Sequence, residues 1–362
     1  MQNPRRRLRL AILAAAVVLL FAQGVATTFF LSRARDNALA AAAETLDRVA
    51  RAVEASINRT FVQVDGMLAG LPAVLAPFAS AEGQLDVALV NRLLRELNNQ
   101  SFTYRDVILI GPDGQILASA LPVSRRRPLP LPVPAGFVAA GRGGAVTIGG
   151  PVQNPSTGEW TLYFARCLDI PGLGGPVTGV AEVPVPLVQA LLGAGGESPG
   201  LRVVLERDDG TLLAALPHDE TRIGQRLHPA ASSLADREGA VEEVTGRIDN
   251  GPMLIAARPT LYSGLFVAAA KSTRAALAGW RRDRERVLVV SGALALLMAS
   301  LALALSLAIA QRERAEAERA RFRRTLESAL ETMSDGFVMF DADDRLVVCN
   351  SRYRDFYRIS AP

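Results

Sequence analysis

Four aromatic or polar side chains lie along one predicted strand and its exit, and their types suit recognition of a small molecule. They are Trp160, Tyr163, Arg166 and Asp169. Arg166 can clamp a carboxylate through two parallel hydrogen bonds, and Tyr163 can stack on a ligand or bond to it. Trp160 and Arg166 share one face of the strand while Tyr163 points to the other, so all three line one pocket only if a bulge intervenes. The alternative is that Arg166 is ion-paired or solvated and the aromatic rings are core.

Patterns typical of catalysis are absent from the sequence. There is no recognisable Ser-His-Asp set, no Gly-x-Ser-x-Gly, no phosphate loop and no dinucleotide fingerprint. The two histidines, His218 and His228, stand ten residues apart in a loop-like region, and a metal site needs closer or more numerous ligands. We therefore predict no catalytic residue, no metal site and no cofactor within these 362 residues.

The charge distribution argues against nucleic acid as a partner. The net charge is +4, but the basic residues sit largely beside two apolar segments, where they meet anionic lipid headgroups. Arg125, Arg126 and Arg127 precede a Pro-rich run and predict a solvated loop, with an anion site as the alternative. Cys167 and Cys349 lie on opposite sides of the second apolar segment, so they do not form a disulfide within one chain if that segment spans a membrane.

The second apolar segment, residues 287–310, organises the chain. It holds no charged residue and has arginines at both ends. As a helix it would be roughly 36 Å long, enough for the roughly 30 Å hydrocarbon core of a bilayer. We predict a transmembrane helix; a buried core helix is the alternative.

The first apolar segment, residues 10–31, follows four arginines. We predict an uncleaved membrane anchor, and a cleaved signal peptide is the alternative. The N-terminal arginines and the six that follow residue 310 would both be cytoplasmic by the positive-inside rule. Residues 32–286 would then lie outside the inner membrane.

The region between the spans shows a helical stripe and a repeated hairpin. Ile57, Phe61, Val64, Leu68, Leu71 and Leu75 alternate in steps of four and three, and Leu39, Leu46 and Val53 extend the stripe upstream. The stripe packs either on its own domain or on a second subunit. A hairpin with a Pro-Asp-Gly turn at 112–114 recurs with Asp-Gly at 209–210, after a Gly-rich linker at 193–200. The repeat predicts two similar α+β modules in tandem.

This layout resembles a double Cache ectodomain, a PAS-like sensory fold of bacterial chemoreceptors, histidine kinases and cyclic-di-GMP enzymes. The resemblance covers about residues 36–270. It implies a membrane-distal module that holds a small ligand, often an amino acid, a carboxylate or an amine. The subgroup that binds amino acids uses an Arg-x-Trp-Tyr run and an acidic residue after the last strand. Here that run is missing, and Val183-Pro184-Val185 puts a proline near the expected acid.

Beyond the second span, residues 311–333 predict a signalling helix with a short coiled-coil seam at Phe322, Leu326, Ala329 and Met333. The hairpin pattern then appears a third time at 334–350, followed by a helix start. This run resembles the first third of a cytoplasmic PAS domain. Because the sequence stops at Pro362, before the final strands of that fold, we expect a truncated PAS domain.

Together these patterns predict a dimeric, multi-pass sensor of a bacterial inner membrane that binds an extracellular small molecule. The cytoplasmic output that they favour is a sensor histidine kinase, often a hybrid one. A diguanylate cyclase or phosphodiesterase, a chemoreceptor, and a binding module without output are the alternatives. The predicted segments are a cytoplasmic start (1–9), a first span (10–31), a periplasmic double Cache domain (32–286, with modules at about 36–192 and 201–270), a second span (287–310), a signalling helix (311–333) and a partial PAS domain (334–362).

Overall fold

The structure is a computed structural model that describes residues 4–79, 85–101, 103–121, 137, 144–154, 157–171, 173, 175–196, 198–235, 241–245, 247, 251–343 and 345–356. The chain divides into two units, Ala34–Arg281 and the pair of segments Met1–Arg33 with Arg282–Pro362. The first unit contains both sheets of the predicted ectodomain, so its fold is mixed α and β as the sequence predicts.

A single long helix, α1 (Pro4–Leu75), supplies one wall of the sheet-containing unit. The predicted stripe is buried on the unit's own sheets: Ile57, Phe61, Leu68 and Leu75 are all 0% exposed. This agrees with the first alternative, packing within the domain. Pro72 lies inside the helix and does not end it. The helix runs to Leu75 and continues as a short 3₁₀ turn, Ala76–Phe78, which contains Pro77, a residue without the N–H that a further helical hydrogen bond needs.

The first of the two predicted modules, which we call the distal module, is a five-stranded antiparallel sheet with a helix along one edge. Asp86 caps that helix by accepting hydrogen bonds from the backbone of Ala88 and Leu89. The elements are α2 (Val87–Gln100), β1 (Asp106–Ile110), β2 (Ile116–Ser119), β3 (Thr147–Gln153), β4 (Trp160–Leu168), β5 (Val177–Pro184) and α3 (Val185–Leu192). The spatial strand order is β2-β1-β5-β4-β3.

The second predicted module, which we call the proximal module, repeats the same topology. The elements are β6 (Leu201–Arg207), β7 (Leu212–Leu216), α4 (Ala231–Ala235), β8 (Glu242–Thr245), β9 (Pro252–Pro259), β10 (Leu265–Ser272) and α5 (Thr273–Ala276). The strand order, β7-β6-β10-β9-β8, is the distal order with each strand replaced by its repeat. The internal repeat predicted from the two hairpins is therefore present as two equivalent sheets.

Each sheet has one face on α1 and one face turned away from it. Successive side chains along each strand point to opposite faces of the sheet. On the α1 side, Phe61 meets Phe164 of β4 edge to face with ring centres 4.8 Å apart. An arginine of β9, Arg258, also bonds to Asp47 and Glu54, two turns apart on α1. Apolar packing and ion pairs together fix both sheets along one helix.

The second unit contains the two helices that are long and apolar enough to cross a membrane. They are the first part of α1 and α6 (Ala278–Thr332). Gln23 donates to the backbone and side-chain oxygens of Ser291, at 2.7 and 3.0 Å, and Thr27 lies 3.0 Å from the same hydroxyl. Hydrogen bonds of this kind hold apolar helices together where water is absent.

A two-stranded hairpin follows α6 in the same unit and confirms the third repeat of the hairpin pattern. It consists of β11 (Val338–Phe340) and β12 (Leu346–Cys349), and α7 (Ser351–Phe356) follows. Asn350 is 1% exposed, and its side chain connects the hairpin to the end of α6 and to α7. Its side chain accepts from the backbone of Phe337 and Tyr353 and donates to the carbonyls of Leu330 and Asp335.

Candidate functional site

The four residues predicted to bind a ligand do not converge on one side of the distal sheet. Trp160 packs against the core that faces α1, and Arg166 points to the same side. Tyr163 belongs to a separate cluster on the opposite side. Asp169 follows the end of β4 and is exposed. The alternation predicted from the sequence is thus present, with no bulge in β4 to bring the three side chains together.

Arg166 forms an ion pair with Asp65 of α1, in which the side chains are 25% and 28% exposed. Tyr262 of the proximal module lies close by, edge to face with Phe61 at 5.7 Å. Burial and the charge of Asp65 raise the pKa of Tyr262 to about 12, although Arg166 opposes the shift. The contacts of Arg166 therefore attach the sheet to the long helix, as the alternative interpretation of this residue expected.

Tyr163 is fully buried on the side of the distal sheet that faces away from α1. We propose a ligand site on this side and call it the ligand face. The neighbours of Tyr163 there are apolar: Ile108, Ile110, Phe137, Ala165 and Val180. Phe137 contacts this surface from outside the sheet, since a Cβ added at Gly149 would lie 2.6 Å from its ring. The ligand face is thus an apolar floor with an aromatic side chain above it.

Two buried carboxyl groups stand beside Tyr163 in a continuous line across the ligand face. Asp106 of β1 is paired in register with Glu182 of β5, and Glu182 is paired with Tyr163 of β4. We call these three residues the polar row. Asp106, Tyr163 and Glu182 are all at most 1% exposed. Side chains directly opposite each other in an antiparallel sheet are close enough to act on one group together.

Neighbouring polar groups bond to the polar row. Asn154 donates to Glu182 at 3.4 Å, and the hydroxyl of Ser119 donates to Asp106 at 3.2 Å. The backbone N–H of Leu121 also donates to Asp106. Buried carboxyl groups are costly unless hydrogen bonds or charges satisfy them. Such a concentration of polar atoms on an otherwise apolar floor is typical of a small-molecule site, where few polar groups fix the ligand's orientation.

Four of these polar residues were not predicted from the sequence: Asp106, Ser119, Asn154 and Glu182. A signal was present, because Asp106 directly precedes the apolar run 107–110 and Glu182 interrupts the apolar strand 177–185. The resemblance implied an acidic residue after the last strand, where Pro184 stands. The structure places Glu182 within that strand, on the face shared with Tyr163.

The equivalent face of the proximal module is filled by its own side chains. Leu234 of α4 packs with Met253 and Ile255 of β9 over the sheet. Glu206 of β6 is buried there in an ion pair with Arg247, and both side chains are 0% exposed. Burial raises the pKa of the Glu206 carboxyl, and the charge of Arg247 opposes this shift. The described part of the proximal face is therefore closely packed.

Other candidate features lie away from the ligand face. An open groove of about 350 Å³ runs along the linker between the modules, lined by Gly196, Ser198, Arg202 and Pro217 among others. His218 pairs with Glu220, and across the described residues no three metal-binding side chains converge. Residues 125–127, the arginine triplet, lie outside the described residues.

Solved structures with this architecture are sensory domains. The extracellular domain of a protein described as a histidine kinase, rpHK1S-Z16, superposes with a TM-score of 0.53 at 20% identity, over 67% of this chain and 99% of its own. The sensory domain of the Campylobacter jejuni chemoreceptor Tlp3 gives 0.51 at 11% identity, over 67% and 98%. The same domain with isoleucine bound gives 0.50 at 12% identity, over 67% and 97%.

The chain has the fold of a double Cache sensory domain. Its tandem sheets on one long helix are the part of the chain that carries this likeness. The PAS fold family model matches residues 330–362, which agrees with the predicted start of a PAS domain after the second apolar helix. A search of curated protein sequences gives no significant match.

Proposed function

We propose that the chain is the sensory and membrane-spanning part of a bacterial signalling receptor, and that its distal module binds a small polar molecule on the ligand face. The polar row is the observation that carries this proposal. Asp106, Glu182 and Tyr163 align across three strands above an apolar floor, in a fold shared with sensory domains. Of the residues singled out in the sequence, Tyr163 is the one on this face.

The chemistry of the row favours a ligand that donates hydrogen bonds. Ionised carboxylates only accept, whereas the phenol of Tyr163 both donates and accepts. A ligand ammonium group, with three donors and a positive charge, suits two neighbouring carboxylates best. Isoleucine, the ligand in one related Tlp3 structure, carries such a group. We therefore include amines as well as amino acids among the candidate ligands.

The proposed placement is an inner membrane with two spans, residues 10–31 and 287–310, and the sensory unit on the periplasmic side. The two apolar helices and the arginines beside them support it. A homodimer within the lipid bilayer is part of the proposal. For the output, the PAS match at 330–362 favours a sensor histidine kinase or a cyclic-di-GMP enzyme over a chemoreceptor, although Tlp3 shares the fold of the sensory unit.

A thermal-shift screen of the full chain in lipid nanodiscs tests the proposal. Amino acids, amines and small carboxylates are the compounds to screen. A compound that binds only the folded state adds about 2.7 kcal/mol to the unfolding free energy at a hundredfold excess over its Kd. We expect at least one amine-bearing compound to raise the melting temperature, and Glu182→Gln to reduce that shift. If no compound in these classes stabilises the chain, the proposed ligand site is wrong.

A further inference from the structure

An arginine of the proximal module holds the outer edge of the distal sheet. Arg207, the last residue of β6, donates from Nη2 to the carbonyls of Ile148 and Gly150, at 2.9 and 2.8 Å. Its Nε donates to Gly150 as well, at 3.2 Å. β3 is the edge strand of its sheet, and no further strand among the described residues pairs with the carbonyls on its outer side. The planar guanidinium satisfies two such carbonyls at once.

The segment held by Arg207 is the end of the polar row. Gly149 lies between the two bonded carbonyls and is paired in register with Tyr163. The line through Asp106, Glu182 and Tyr163 therefore continues to Gly149, so that it spans four strands. Because Gly149 is the direct neighbour of Tyr163, a shift of Tyr163 or of β4 displaces Gly149 and the two carbonyls on either side of it.

Residues 149–151 have little side-chain packing of their own, because they are two glycines and Pro151, whereas Ile148 before them is buried in the core that faces α1. The β3–β4 register breaks between Gly149 and Val152, which forms a bulge. Gly150 has φ +99°, and a Cβ there would lie 2.7 Å from the carbonyl of Thr161. The three hydrogen bonds that Arg207 makes to the carbonyls of Ile148 and Gly150 therefore help to fix the position of the bulge.

In the proximal sheet, Arg207 pairs with the start of β10, and the connection to the second apolar helix leaves from the other end of that strand. Arg207 is paired in register with Leu265 of β10. β10 ends at Ser272, whose hydroxyl accepts from the backbone of Ala275 and caps α5. The chain then continues directly into α6, the second apolar helix. The desolvated guanidinium has its pKa lowered by burial, and the charges of Asp209 and Asp208 oppose that shift.

We propose that Arg207 is a positioning residue that couples the ligand face of the distal module to the proximal sheet. A change at the polar row displaces the segment 148–150, and the guanidinium transmits this change to β6. The proposal rests on the proposed function, because it takes the polar row as the ligand site. Arg207 itself does not contact the ligand face; it acts through the carbonyls of β3.

Hydrogen–deuterium exchange of the full chain in nanodiscs tests the coupling without any ligand. Tyr163→Phe, which removes one hydroxyl, perturbs the polar row, and the readout is the exchange rate of the β6 amides, residues 201–207. This perturbation is introduced into the unsubstituted chain, into Arg207→Lys and into Arg258→Lys. Lysine keeps the charge but cannot bond to two carbonyls in the fork geometry. Arg258 is the matched control, since it binds α1 rather than the distal sheet.

We expect Tyr163→Phe to change exchange in β6 by roughly threefold or more in the unsubstituted chain and in the Arg258→Lys background, a size in keeping with coupling between groups in contact. In the Arg207→Lys background β6 should not respond, although β3 still does. A purely structural role would raise exchange in Arg207→Lys yet leave the response to Tyr163→Phe intact, and that result would overturn the proposal.

Two further variants keep the test decisive. Glu182→Gln perturbs the same row independently, and if neither it nor Tyr163→Phe alters β6 in the unsubstituted chain, the coupling does not exist. Arg207→Gln replaces Arg207→Lys if the latter fails to fold, because its amide retains donors for one carbonyl. The exchange experiment uses no ligand. A negative exchange result therefore does not affect the proposed ligand site, and a ligand screen without hits does not affect the exchange result.

Discussion

Glu206 and Arg247 place two charges inside the proximal module, where burial is unfavourable for both. Arg247 donates from Nη2 to one carboxylate oxygen of Glu206. The other oxygen and the Nε and Nη1 atoms of Arg247 are buried and have no hydrogen-bond partner among the described residues. Such a pair contributes little net stability, but removal of one member leaves an uncompensated buried charge.

We predict that Arg247→Met destabilises the chain by about 3–5 kcal/mol, because it leaves the Glu206 carboxylate buried without a cation. The double variant Glu206→Leu with Arg247→Met should be much less destabilised, since both charges are gone. Urea unfolding in nanodiscs, followed by intrinsic fluorescence, measures the difference. If the double variant is as unstable as the single one, the unpaired charge of Glu206 is not the cause of the lost stability.

The pH dependence of the same pair follows from the sign of the pKa shift. Because burial raises the pKa of Glu206 above 4.5 in the folded state, the folded chain binds the proton more tightly than the unfolded chain. The resulting stabilisation is complete below the unfolded pKa and is lost as pH rises through the folded pKa. Glu206→Gln should remove this part of the pH dependence of the unfolding free energy.

At the scale of secondary-structure elements, the repeated hairpins provide a matched comparison between the modules. Gly114 and Gly210 occupy the same place in the two turns, with φ +80° and +83°. A Cβ at Gly114 would meet nothing within 4 Å, whereas a Cβ at Gly210 would lie 2.4 Å from the carbonyl of Leu227. The left-handed conformation penalises both substitutions, and the close approach penalises only the second.

We predict that Gly114→Ala destabilises the chain by about 1–2 kcal/mol, the cost of a left-handed non-glycine residue, and that Gly210→Ala destabilises it more. The extra loss arises because a backbone carbonyl, rather than a flexible side-chain end, must move. Melting temperatures of the two variants in nanodiscs give the comparison. Equal losses would show that the turn of the proximal module relaxes freely.

Of the three described sheets, the C-terminal hairpin should be the least protected from amide hydrogen exchange. Met339, Phe340 and Val347 are 47%, 50% and 53% exposed, and an isolated two-stranded hairpin is marginally stable in water. We predict fast amide exchange throughout 338–348 in the full chain, with the slowest exchange beside buried Asn350. Slow exchange in a species shown to be monomeric would mean that the hairpin is stable by itself.

The sequence predicted the elements of the fold better than the residues of the site. Periodicity identified the α1 stripe and the hairpins, because each is a local pattern. It missed β8, a short strand of half-exposed charged and apolar residues. It also missed the polar row, since Asp106 and Glu182 lie far apart in sequence and meet only through β-sheet register. The partner of Arg166, Asp65, is likewise 101 residues away.

At the scale of the whole molecule, the arginine distribution predicts both termini on the cytoplasmic side. Four arginines precede residue 10 and six follow residue 310 within a short stretch. Alkaline phosphatase fused at Gly195 should be active, and the same fusion at Arg321 should be inactive. Activity at Arg321, or none at Gly195, would contradict the two-span topology, as would a mature N-terminus near Val25.

The central claim is that the ligand occupies the face of the distal sheet that carries the polar row. The most direct measurement is the Kd, by calorimetry, of the compound that stabilises the full chain, compared between Glu182→Gln and Arg166→Gln. The two side chains are on opposite faces of neighbouring strands of one sheet. We predict that Glu182→Gln weakens binding about tenfold or more, a loss of about 1.4 kcal/mol, while Arg166→Gln leaves the Kd unchanged. Loss of binding in Arg166→Gln together with an unchanged Kd in Glu182→Gln would place the ligand on the α1 side and contradict the account.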